Sequence, residues 1–112
     1  CAFGQDRALA YDVFNSLVEE EIPADLRLIA EARAKNEWGT VVEFVHKIKG
    51  GAMYCGITRL QHACLLFENY KKLDDIEQLN FMLEQVLLVC AETQEKIRGW
   101  LADNKEFFNQ EI

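Results

Sequence analysis

Proline is nearly missing from this chain: Pro23 is its single instance. Glycine is scarce too, with six residues, several of them at expected segment ends. Those scarcities exclude collagen-like, linker-like and low-complexity chains. Basic residues are in deficit, 12 against 19 acidic, for a formal net charge of -7. That balance argues against nucleic acid, which calls for clustered Lys and Arg, and against an anionic membrane surface. It suits a soluble partner, and any phosphate handled here needs local positive charge. No apolar run approaches the ~18 residues of a membrane span. No basic stretch followed by an apolar one marks a signal peptide. Histidine is limited to His46 and His62, and Cys1, Cys55, Cys64 and Cys90 form no C-x-x-C pair. A zinc site wants closely spaced soft ligands on two arms, so no metal is expected. Cys55, Cys64 and Cys90 fall on apolar stripes, as buried free thiols in a reducing, cytoplasmic setting would.

What the chain does have is apolar residues at helical spacing. Half of its 112 residues are hydrophobic, enough for one domain with one core. We expect a single helical domain over residues 1–112, with an ordered core at about 6–103. The chain opens on Cys1 rather than Met, as a fragment of something longer would.

Residues 1–5 read as a lead-in. Asp6 is the expected N-cap of a helix carrying Leu9, Val13, Phe14, Leu17 and Val18. Glu19, Glu20 and Glu21 read as a solvated face. Pro23 breaks or kinks the helical pattern. Ile22 and Leu26 keep the spacing across it, which favours one kinked helix, continued by Ile29, Ala30 and Ala32 to about Lys35. Asn36 is the expected cap of the next helix, which runs to Cys55 and stops at Gly56. Thr58 is the expected cap of a helix bearing Leu60, Ala63, Cys64, Phe67 and Tyr70, closed by Lys71 and Lys72. Asp74 or Asp75 opens the last and longest helix, with Ile76, Leu79, Leu83, Val86, Leu87, Cys90, Ile97 and Leu101 on its stripe. Phe107 and Phe108 either dock on the bundle or belong to a linker. No period-2 pattern predicts a strand. The fold expected is all-α, an antiparallel four-helix bundle with a kinked N-terminal helix and a long C-terminal one.

Trp38 to Leu60 is the stretch that carries chemistry. On a helical wheel of about 100° per residue, Val41, Val45, Ile48 and Ala52 point roughly 120° away from His46. Trp38 and Cys55 widen that core stripe. His46 lies on the flank, with Val42, Lys49, Gly50 and Met53 around it. Lys49 stands one turn on, within reach of a group carried by the ring. Gly50 and Gly51 inside a helix together cost about 2 kcal/mol relative to alanine. Close packing of another helix is one reason to bear that cost. Open space above Gly50, for something to approach His46, is the other. Gly51 points away from the ring. An exposed imidazole, with an ordinary pKa of about 6.5, is a good nucleophile in its neutral form. A phosphorylated ring adds negative charge, which Lys49 would offset.

His46-Lys47-Ile48-Lys49-Gly50-Gly51, then Gly56, then Leu60, resembles the H-x-x-K-G-[ASG]-x-x-x-x-G-x-x-x-L signature of histidine phosphotransfer (HPt) domains. Ile22 to Leu26 and Asn36 to Trp38 are similar to the family's approach to its histidine helix. The likeness covers about residues 10–102 and is greatest to the C-terminal HPt modules of bacterial hybrid sensor kinases. It implies a phosphorelay intermediate. His46 would take a phosphoryl group from a receiver-domain aspartate, on the ring nitrogen away from the backbone, and pass it to a response-regulator aspartate. Lys49 would offset charge, and Gly50 would keep the approach clear. Glu68, where many members place a polar residue facing the histidine, would orient the ring but repel the phosphoryl group. No cofactor is implied in the domain; Mg²⁺ is expected in the partner receiver. The isolated domain would be a cytoplasmic monomer, its parent kinase seated in the bacterial inner membrane.

Val42, Met53 and the Gly50 gap would meet the receiver's apolar patch, with Glu43, Lys47 and Lys49 on the rim. No G-x-x-x-x-G-K-[ST] loop is present, so autophosphorylation from ATP is not expected. Two rival readings remain. One is a non-catalytic helical adaptor that binds receivers; the other is a bundle holding a metal or cofactor, against which the wheel sets His46 outside the core. His62 reads as a surface residue, and Trp38, Phe44, Phe67 and Trp100 as packing. Tyr54 falls on the His46 side near the helix end and packs, at most, on the Gly56 loop.

Overall fold

The structure, a computed structural model, describes residues 7–70 and 75–105, without the side chain of Tyr70. Residues 1–5, Asp6, Lys71, Lys72, Asp74, Phe107 and Phe108 therefore lie outside the described residues, as do Cys1 and the Tyr70 side chain. The described chain has no strand. It is α1 (Arg7–Ser16), a π-turn (Leu17–Glu21), α2 (Ile22–Ala34), α3 (Trp38–Cys55), α4 (Thr58–Tyr70) and α5 (Ile76–Asp103).

The first three of these make one rod. Ser16, Glu21 and Ile22 all keep right-handed helical dihedrals, so the backbone runs through. The Ile22 N–H reaches back five residues to the Leu17 carbonyl. Pro23 comes next and has no N–H to give the preceding turn. The wider ring absorbs that loss and the bulk of the pyrrolidine. The expected single helix is thus found, interrupted by a π-turn. Glu19, Glu20 and Glu21 on that turn are exposed, as expected.

Asn36 does not cap α3. It sits in the left-handed region at φ 57°, and the N–H groups of Asn36 and Glu37 donate to the carbonyls of Arg33 and Ala32 at 3.0 and 2.8 Å. That is a Schellman ending for α2, and asparagine serves because its short polar side chain tolerates this conformation. Glu37 precedes α3 and makes no side-chain cap. Gly56 ends α3 in the same way, at φ 73°, with Ile57 N–H donating to Ala52 O at 2.8 Å. Thr58 is the first residue of α4 rather than its cap; the Ile57 carbonyl accepts from Gln61 N–H. At α5, Asp75 is the cap, its side chain accepting from Gln78 N–H.

The rod, α3, α4 and α5 form the four members of an antiparallel bundle. α3 packs between α2 and α4, α4 against α5, and α5 closes the ring against α1. Trp100 meets Tyr11 and Phe14 at one end, and Arg33 of α2 binds Asn80 and Glu84 of α5 at the other. α5, with 28 residues, is the longest single helix of a molecule 50 Å long. Phe67, Leu83, Val86, Val41 and Val45 fill the core, with Cys64 and Cys90 fully buried and Cys55 nearly so. Burial pushes the Cys64 and Cys90 thiols up to about 12, so neither is a reactive thiolate. Three expected stripe residues are outside the core. Leu9, Ala30 and Ile76 are exposed, whereas Tyr11, Met82 and Val89, outside the expected stripes, are buried. Each exposed residue flanks its helix's buried stripe, and periodicity alone does not fix how wide that stripe is. Among the described residues no helix is long and apolar enough to cross a membrane.

Candidate functional site

The core fixes how α3 is turned. Val41, Val45, Ile48, Ala52 and Cys55 are all buried, so the opposite flank faces out. His46 stands there with its side chain 70% exposed. Gly50 and Met53 beside it are also exposed, and Val42 is half-buried against the core. Glu43 is exposed. The wheel's arrangement around the histidine is therefore the one observed.

Glu68 of α4 ties the site together. His46 Nδ1–H donates to its Oε1 at 3.1 Å, and Lys49 Nζ donates to its Oε2 at 2.9 Å. A carboxylate partner can only accept, so it holds the proton on Nδ1 and leaves the Nε2 lone pair free. Among the described residues, Nε2 has no hydrogen-bond partner. The Glu68 side chain is only 14% exposed. Partial burial pushes its pKa up, but the bonds from Lys49 and His46 outweigh that and hold the carboxyl below its ordinary value. Lys49 is committed to this bond, with a side chain 16% exposed. It does not project freely towards the ring, as the sequence suggests. It neutralises Glu68 instead, so the carboxylate beside the ring already carries its counter-charge.

Lys47, expected on the docking rim, also has a partner. Its Nζ donates to Asp25 Oδ1 at 2.7 Å, and Asp25 is buried. A buried carboxylate needs such a cation. Asp25 belongs to the Ile22–Leu26 stretch of family likeness, but its pairing with Lys47 has only a faint signal in the sequence, an acidic residue just past Pro23 that shares a helix flank with apolar neighbours. His62 is exposed on α4, away from this cluster.

The glycines separate cleanly. A Cβ at Gly50 would meet nothing within 4 Å, so no neighbouring helix requires glycine there. A Cβ at Gly51 would lie 3.8 Å from Leu17 Cδ1, an ordinary contact. Close helix packing therefore explains neither. Gly50→Ala should stabilise the fold by about 1 kcal/mol, raising Tm by roughly 4–8 °C. It should also slow phosphoryl exchange with a protein partner, because the methyl enters the open space beside His46. Thermal unfolding paired with a transfer assay checks this; a stabilised variant with undiminished transfer would refute it.

The family model described as Hpt domain matches residues 16–100. Among relatives, Sensor histidine kinase GacS of Pseudomonas protegens is 36% identical over 67 residues, which are 60% of this chain and 7% of the relative's length. No solved structure matches the chain. A family match running from the π-turn to the end of the bundle, over the histidine and its supporting carboxylate alike, shows that the chain belongs to the Hpt domain family and is a phosphorelay intermediate of two-component signalling.

Proposed function

We propose that His46 is the phosphoacceptor and that Nε2 is the atom that carries the group. The observation behind this reading is the anchoring of Nδ1 by Glu68 on a ring that is otherwise exposed. Neutral His46 attacks the phosphorus of a receiver's aspartyl phosphate through the Nε2 lone pair. The N–P bond forms as the P–O bond to aspartate breaks, and the aspartate leaves as carboxylate. The ring becomes positively charged with its proton still on Nδ1, where the carboxylate of Glu68 stabilises it. The return step is the same exchange, with the aspartate of a second receiver as nucleophile. The donor is the receiver of a hybrid kinase and the acceptor that of a response regulator. Each receiver brings its own acidic pocket and Mg²⁺.

Gly50 leaves room for the receiver, and Val42 and Met53 offer it an apolar border. The test uses the receiver domains encoded by the source organism, each phosphorylated with radiolabelled acetyl phosphate, freed of donor and mixed with this chain. At least one should transfer label to His46, as acid-labile, alkali-stable phosphate at one group per chain, while ATP alone gives none. No transfer from any receiver, or label elsewhere than His46, would overturn the reading.

A further inference from the structure

We propose that the groove between the π-turn and the Gly50–Gly51 pair is a second contact for the receiver, taking one aliphatic side chain with a basic residue beside it. The proposal rests on reading His46 as the phosphoacceptor. The groove measures about 270 Å³. Its floor is apolar, formed by Leu17, Ile22 and Ile48, and Glu21 stands at its rim.

Position is the first argument. Gly50 lines the groove and also lies next to His46 on α3. Four residues of helix rise only about 6 Å. A specific interface covers about 800 Å² on each partner, so a receiver seated over His46 also covers the mouth of this groove. Gly51 is the second. It lines the groove, faces away from the ring, and is not required by helix packing. A side chain there would extend towards Leu17, which is what fills the groove. The glycine keeps it deep.

Charge decides the neighbour of the docked side chain. Lys47 is neutralised by Asp25. Glu19 pairs with Arg98 at 3.5 Å. Glu21, which lines the groove and is exposed on the π-turn, has no cationic partner among the described residues. The rim is therefore acidic, and its complement is a Lys or Arg. Leu17 and Glu21 are the two ends of the π-turn, so the turn supplies both the apolar and the charged half of the recognition.

The test uses the whole chain and the receiver that transfers most rapidly to it. Gly51→Leu fills the groove and should lower kcat/KM for receiver transfer about tenfold, chiefly through KM. Glu21→Lys should lower it about threefold and flatten its dependence on salt. Phosphoramidate, a small donor with no side chain to seat, should label His46 in both variants within twofold of the parent chain. That pattern supports the groove. Receiver transfer within twofold of the parent in both variants overturns it. If Gly51→Leu also loses labelling by phosphoramidate, its fold is disturbed, and Gly51→Ala decides with Glu21→Lys by the same criterion. If phosphoramidate fails to label His46 even in the parent chain, the reading of His46 falls first, and the groove with it.

Discussion

His46→Gln should accept no phosphoryl group from any receiver, with transfer falling by more than about 10³ to background, while the domain unfolds at nearly the same temperature. The lost chemistry stems from the atom removed. An amide nitrogen has its lone pair delocalised into the carbonyl and cannot attack phosphorus as Nε2 can. The retained stability stems from placement. The ring is 70% exposed and contributes nothing to the core, and the glutamine amide can still donate to Glu68. Surface changes of that kind stay within about 0.5 kcal/mol. Radiolabel transfer and thermal unfolding measured on the same preparation check both halves. His62→Gln is the control, since His62 is the other histidine of the chain and is exposed on α4. Full transfer in His46→Gln, or its loss in His62→Gln, would move the phosphoacceptor elsewhere.

The helices were readable because their apolar residues repeat at 3.6, and a repeat survives without knowledge of neighbours. The same is true of His46, Lys49 and Gly50, which one helix brings together within two turns. What one helix does not contain was harder to read. Leu9 and Ile76 keep the stripe's spacing but stand in the first turns of α1 and α5 and are exposed. Asn36 is a good cap residue and a good left-handed residue, and only the backbone bonds to Arg33 and Ala32 choose between the two. Asp25 and Lys47 are 22 residues apart, as are His46 and Glu68. Their pairing depends on how α3 sits between α2 and α4. The sequence therefore indicates that a carboxylate could orient the ring, but not that it also captures Lys49. The π-turn lies beyond reach of periodicity altogether, since one added residue merely shifts the stripe.

Glu68→Ala should slow phosphoryl transfer to His46 by about 10–100-fold without abolishing it. A hydrogen bond to a charged group contributes about 1.5–3 kcal/mol. This one strengthens as the ring gains positive charge, so its loss falls on the transition state more than on the ground state. Two effects oppose each other in the variant. The ring loses its anchor and its counter-charge, and Lys49 is freed to reach the phosphoryl group directly. The anchor should win, because Glu68 touches the reacting ring at 3.1 Å, whereas Lys49 is held through the carboxylate. Glu68→Gln should fall between the two, since its amide oxygen accepts from Nδ1 but carries no charge. Acid stability gives a second readout that transfer rates do not share. The folded carboxyl titrates below its ordinary 4.5. Its contribution to stability is complete above that value and disappears as pH falls through the lower, folded-state value. Urea unfolding tracked downwards from about pH 6 should therefore show part of the acid-side loss in the parent chain and not in Glu68→Gln. Equal acid-side slopes, together with unchanged transfer in Glu68→Ala, would reduce Glu68 to a bystander and return the role of charge balance to Lys49 alone.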